Sequence, residues 1–367
     1  MSYSGARHRY ANEVHYRRHA IASTHLRDQM AQQPAARDLR LDNAKGALIF
    51  LVVLGLFLEA TNDWTSPLLR FVLTTIYILH MPAFIFLAGI TARKGKVALR
   101  VSQFATWLIV FQSLYAIVLL ICGDETRLSL FAPFWILWYL MSMAWWTLTI
   151  PVLLRIRRYA LSASLALSLS SGLVPFVGYA LSTSRTLVFL PFFVAGALYG
   201  VDLLELTMRL RTAHKLALLI TSVSIAFALF TARVDNAWLY GSRNYADLGV
   251  QPLVGVGIRF GILLASSIAV LTVISIMSAR RGPLTQPGEA SLSIYLFHGV
   301  VVLGFGSSLS AFFHKFGSFA SLILCIALSA VTLQLLKVKR LDQFVRSIGK
   351  ISSRLHSSIS TSFHIRS

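Results

Sequence analysis

The sequence predicts an all-α, polytopic membrane protein with about ten transmembrane helices. Three observations lead there. The 367 residues are 56% hydrophobic and only 13% charged, too apolar a balance for an ordinary soluble domain. Apolar runs recur along the chain and reach the ~20 residues needed to cross ~30 Å of hydrocarbon. The net charge of +20 is spread over the ends of those runs, the pattern of topology signals rather than of a nucleic-acid surface. A membrane β-barrel is excluded, because the runs are continuous and lack in–out alternation.

In chain order, residues 1–43 open with Arg7, Arg9, Arg17, Arg18, Arg27, Arg37 and Arg40, together with His8, His15, His19 and His25. A secretory signal requires an apolar stretch after a short basic start, and none is present. The segment reads as a basic, disordered cytoplasmic tail whose irregularly spaced histidines are solvated, and no metal site is expected. The membrane domain is placed at 44–336. Its spans are expected at 44–61, 68–91, 100–122, 131–154, 160–182, 186–204, 214–232, 252–278, 290–309 and 316–336. Short loops with turn formers separate them, among them Thr61-Asn62-Asp63, Gly123-Asp124-Glu125 and the stretch from Gly282-Pro283 to Pro287-Gly288. The longest loop is 233–251. Residues 337–367 read as a basic cytoplasmic C-terminal tail. No separate soluble domain is visible, and neither are the paired broken helices of a secondary transporter.

Loop charge tests the span count independently. With both termini cytoplasmic, the inner segments hold 27 of the 34 lysines and arginines. The outer segments hold Arg70, Arg127, Arg185, Arg233, Arg243 and Lys315, and Arg259 lies within a span. That asymmetry is what the positive-inside rule requires. Cys122 and Cys325 fall in or beside apolar runs without metal-ligand spacing and read as small buried hydrophobes.

Ionisable side chains at membrane depth cost roughly 2.5–3.5 kcal/mol on insertion scales, so they persist chiefly where they face protein or a wet cavity. Glu59, His80, Arg259 and His298 are of this kind and are expected to share one hollow. Glu59 lies one turn from Leu56 on the same helix face, and Tyr295 likewise precedes His298. His80 precedes Met81-Pro82, and that proline frees the carbonyl of Ile78. Arg259 lies among Gly255, Gly257 and Gly261 and needs an anionic or carbonyl partner, with Glu59 or a substrate as candidates. Asp42, Lys45, Arg93 and Arg185 stand at helix ends, where snorkelling alone would also place them.

Five segments, in order over about 40–310, resemble the integral-membrane acyltransferase-3 family. They are Asp42-Asn43-Ala44-Lys45 with the helix beyond it, His80-Met81-Pro82-Ala83-Phe84-Ile85-Phe86-Leu87-Ala88-Gly89, Trp135-Ile136-Leu137-Trp138-Tyr139-Leu140, Ser184-Arg185 through Gly196, and Ser291 through Gly299. The "DNAKGALIFLVV" and "SRTLVFLPFF" blocks resemble the fucose O-acetyltransferase branch, which includes nodulation proteins. The resemblance implies a multi-pass inner (plasma) membrane enzyme. It implies acetyl-CoA as co-substrate rather than bound cofactor, and a glycan or lipo-oligosaccharide acceptor such as fucose of a lipo-chitooligosaccharide or an exopolysaccharide. Membrane lipids are the other expected partner, and nucleic acid is not one.

A sugar hydroxyl needs a base to take its proton, and the oxyanion that forms needs donors or positive charge. The family pattern has a histidine eleven residues after the first basic residue. Here the basic residue is Lys45 and the histidine position is Leu56. The candidate catalytic residues are therefore Glu59, His80 and His298. The candidate substrate-binding residues are Asp42, Lys45, Arg93, Trp138, Arg185, Arg259 and Tyr295. The alternative expectation is a catalytically impaired member that binds or transports a glycan or lipid carrier.

Overall fold

The computed structural model describes residues 38–62, 64–92, 95–123 and 132–364. The chain divides after Leu39, and the unit from Arg40 onward holds the helical framework. The 1–43 tail lies mostly outside the described residues. No β-strand occurs among the described residues. A lipid environment leaves little alternative, since backbone groups there must be satisfied within each segment.

Eight helices of the described residues are long and apolar enough to cross a membrane. Six of them are α1 (Leu39–Asn62), α2 (Pro67–Ile90), α3 (Val97–Ile121), α4 (Trp138–Arg155), α6 (Thr183–Met208) and α7 (Thr212–Thr231). α9 (Pro252–Ile276) is the seventh, and the eighth is the latter part of α11 (Ser291–Leu336). Between them lie the short helices α5 (Arg157–Ser170), α8 (Asn236–Tyr240) and α10 (Thr285–Glu289), and α12 (Lys339–His364) ends the described chain.

Two of the ten expected spans take a shorter form. The fifth is α5, 14 residues followed by 3₁₀ turns at Ser171–Leu173 and Ala180–Ser182. Gly172, Pro175 and Gly178 interrupt the apolar run there. The ninth and tenth are joined in α11, which breaks at Gly317, where φ is +78°, a conformation that glycine tolerates without steric cost. Its apolar start, Ser291–Gly306, is too short to count as a span by itself. Cys325 is buried as expected, whereas Cys122 is exposed, because it caps the C-terminal end of α3 instead of lying within it.

Packing fixes how the helices meet. α2 and α6 approach so closely that a Cβ on Gly196 would sit 2.0 Å from the Phe86 carbonyl oxygen, the close backbone approach that small residues permit between membrane helices. At its N-terminal end α1 is tied to the segment before α11. Asn43 Nδ2 donates to the carbonyls of Ser278 (2.7 Å) and Arg280 (2.8 Å), and Thr285 Oγ1 donates to Asn43 Oδ1 at 2.6 Å.

The 233–251 loop is ordered by its own polar groups. Asp235 caps α8 by accepting from the Ala237 amide at 2.7 Å. Asn244 Nδ2 donates to the Pro175 carbonyl at 3.1 Å, and Tyr245 Oη donates to the Leu169 carbonyl at 2.7 Å. The loop is thereby bound to the end of α5 and the turn after it, and Tyr240 of α8 meets Glu59 of α1 and Tyr77 of α2.

Candidate functional site

α1, α2, α4, α6 and α11 converge with α8 on a cavity of about 240 Å³. Helical spacing decides which side chains reach it. Val52, Leu56 and Glu59 come from one face of α1, Tyr77, His80 and Met81 from one face of α2, and Arg185 and Phe189 from α6. Trp135, Trp138, Tyr240 and Tyr295 complete the polar and aromatic wall. The volume lies below the ~300–1,000 Å³ of drug-sized ligand pockets.

His80 is 4% exposed, and its Nδ1 lies 2.7 Å from the Ile76 carbonyl oxygen. A carbonyl only accepts, so Nδ1 carries the hydrogen in the neutral ring, and Nε2 keeps its lone pair. Tyr77 stands edge-on to the ring at 4.8 Å between centroids. The helix backbone thus fixes both the tautomer and the orientation of His80 at the cavity wall.

Glu59 is held by aromatic donors. Trp64 Nε1 donates to Glu59 Oε1 at 3.0 Å, and the Tyr240 hydroxyl donates to the same oxygen. Trp64 Nε1 also lies 2.9 Å from Tyr240 Oη. The carboxylate is a fixed part of the wall, not a solvated helix end. Opposite in charge, Arg185 lays its guanidinium 5.0 Å from the Trp138 ring and 5.1 Å from the Tyr179 ring. Arg185 and Tyr240 also line a second cavity of about 540 Å³ with Asn236, Arg243 and Asp247. The two hollows therefore share a wall of one cation and one phenol.

The acyltransferase-domain profile of the acyltransferase-3 family matches residues 38–336. The chain belongs to that family. No match was found among curated proteins or among solved structures. As an acyltransferase-3 protein it is a membrane acyltransferase, and the match ends where α11 ends, leaving α12 outside it.

Not every polar residue expected in the acyltransferase's hollow reaches it. Glu59, His80, Trp138, Arg185 and Tyr295 line the cavity, as does Leu56 in the position where the family pattern has histidine. Arg259 does not. It is 3% exposed, and its guanidinium donates to Ser171 Oγ at 3.2 Å and to the Arg243 carbonyl at 3.0 Å. It also lies 4.6 Å from the Tyr245 ring. The partners of Arg259 are thus a hydroxyl, a carbonyl and an aromatic face, in place of the expected Glu59 or substrate, and Arg259 anchors the loop that carries Tyr240. His298 is fully buried with Nδ1 3.1 Å from the Ile294 carbonyl, one turn beyond Tyr295 and away from the cavity lining. Its register points it into packed core, whereas Tyr295 reaches the cavity and donates to the Ile136 carbonyl. Lys45 and Asp42 sit about four and about five turns from Glu59 at the other end of α1, outside the lining. Arg93 lies outside the described residues.

Three residues that build this site carry little or no mark of it in the sequence. Tyr77 precedes His80 by three and shares its face, so helical spacing alone could have found it. Tyr240 and Trp64 lie in or next to loops, and nothing in their spacing points to Glu59.

Proposed function

We propose that this acyltransferase moves an acetyl group from acetyl-CoA to a sugar hydroxyl, with His80 as the general base. The observation that carries this reading is the backbone-fixed His80 ring, whose unprotonated nitrogen belongs to a side chain on the cavity wall. A carboxylate and a guanidinium, Glu59 and Arg185, line the same cavity and would supply the remaining needs of acyl transfer.

The steps follow from these groups. The sugar hydroxyl gives its proton to His80 Nε2 as its oxygen bonds to the thioester carbonyl carbon. Arg185 stabilises the resulting oxyanion. Collapse of the tetrahedral species breaks the C–S bond, and the departing thiolate takes the proton back from His80. Glu59, fixed by Trp64 and Tyr240, shapes the electrostatics of the wall and is not the primary proton acceptor. The larger neighbouring cavity receives the remainder of the acceptor glycan, for which fucose on a lipo-oligosaccharide or exopolysaccharide is the first choice. Both termini are assigned to the cytoplasm of the inner membrane, with the donor arriving from that side, near Lys45 and Arg93.

A second reading is favoured by one observation. Leu56 occupies the cavity wall where a histidine would stand, and a leucine cannot move protons. In that case the chain binds or transports a glycan or lipid carrier without acylating it. The test is acetyl transfer from labelled acetyl-CoA to fucosylated and unfucosylated oligosaccharides by the reconstituted protein, with His80→Ala and Leu56→His alongside. Wild-type transfer that is abolished in His80→Ala supports the proposal. Transfer only after Leu56→His identifies an enzyme that has lost its base. Glycan binding without transfer by either form establishes the second reading.

A further inference from the structure

α12 was expected only as a basic tail, and it is a 26-residue helix separated from the end of α11 by Lys337 and Val338 alone. Because 318–336 of α11 belongs to a membrane-length apolar helix, the first turn of α12 emerges at the membrane boundary. Its faces are chemically distinct. Val345 and Ile348 are buried, Trp107 Nε1 of α3 donates to the Val345 carbonyl at 2.9 Å, and a Cβ on Gly349 would lie 2.7 Å from the Trp107 ring. One side of the helix is therefore docked on α3.

Beside that docked strip, Phe344 and Ile351 are 54% and 51% exposed. At about 100° per residue they share an azimuth roughly 110° from Val345, on the flank of the apolar arc. Lys339, Arg346 and Lys350 occupy the opposite flank and are exposed. Arg346 is paired with Asp342 at 2.6 Å, and α12 contains no other acidic residue against Lys339, Arg340, Arg346, Lys350 and Arg354.

We propose that α12 lies in the membrane–water interface as a clamp on anionic lipid, with Phe344 and Ile351 inserted among acyl chains and the basic arc against phosphate-bearing headgroups. A helix with a basic polar face and aromatic and aliphatic residues on the other takes this position on a bilayer. The tether to α11 and the docking on Trp107 hold it at that depth. An acidic protein partner would match the charge, but it would leave the exposed Phe344 and Ile351 beside a membrane boundary without an apolar counterpart.

The experiment uses the full chain with Cys122→Ser and Phe344→Cys, carrying an environment-sensitive fluorophore at position 344. It is reconstituted in vesicles of phosphatidylcholine alone or mixed with phosphatidylglycerol. The expected result is quenching by lipids spin-labelled near the headgroup, protection from aqueous iodide, and stronger insertion in the anionic vesicles. Lys339→Glu with Lys350→Glu lowers that anionic preference by about fivefold per charge, while unchanged thermal unfolding reports an intact fold. Equal iodide quenching in both vesicles overturns the proposal. So does an emission shift induced in pure phosphatidylcholine by inorganic phosphate, which would mark a soluble-anion site. Cross-linking of position 344 to a second protein with no response to lipid overturns it in favour of a protein partner.

Discussion

The Tyr240 hydroxyl donates a hydrogen bond to Glu59, joining a five-residue loop helix to the first membrane helix across 181 positions of sequence. Trp64 shares the same carboxylate oxygen. The far wall of the cavity is thus built by a loop, and its shape depends on how that loop is held.

Replacing Tyr240 by Phe leaves the ring in place and removes one donor from a part-buried carboxylate. The expected loss is about 1–3 kcal/mol of stability, read as a lower unfolding midpoint in detergent. Acyl transfer should fall alongside it, because Glu59 and Trp64 lose their common partner.

His80→Asn places an amide nitrogen at the Nδ1 position, able to donate to the Ile76 carbonyl, but it provides no proton acceptor of comparable basicity. Transfer should drop by about 10²–10⁴-fold, the range for loss of a general base, with KM for the acceptor little changed. Steady-state kinetics with the acceptor varied would separate the two effects, and an unaltered turnover would remove His80 from the mechanism.

Arg259→Met keeps an unbranched apolar stem and deprives Ser171 and the Arg243 carbonyl of their donor. Destabilisation of about 1–3 kcal/mol is expected, with faster proteolysis within 236–249 as the local sign. The loss of activity should be secondary and should track the loop, since Arg259 does not touch the cavity. Direct competition between acceptor and Arg259 modification would contradict this placement.

Gly196→Ala drives a methyl group to 2.0 Å from the Phe86 carbonyl oxygen. Backbone atoms cannot swing aside, so the α2–α6 contact must open, at about 1–3 kcal/mol. Because His80 and Arg185 sit on those two helices, lowered transfer in a folded variant would show that their spacing matters.

Much of the fold was legible because a membrane helix announces itself by length and apolarity. The first four runs and the sixth to eighth lie near their expected limits for that reason. The fifth does not: Ser-rich residues and Gly172, Pro175 and Gly178 leave only 14 helical residues in an otherwise apolar stretch. The site was half legible. Glu59 and His80 stood out as charged or polar groups in apolar surroundings, and they do share a wall. Arg259 and His298 stood out by the same criterion but are satisfied or enclosed elsewhere, since cost in lipid does not say which interior a group faces. Tyr240 was invisible, because its role arises from loop packing between residues far apart in sequence.

The cavity of about 240 Å³ has a consequence for what the protein can accept. A chamber of that size surrounds little more than the bond being made and the atoms next to it. Whatever extends past that point meets the larger hollow beside it, which shares Arg185 and Tyr240 as its wall. On the proposed reading, selection has two stages: the small chamber senses the ring that carries the hydroxyl, and the hollow next to it senses what is attached to that ring.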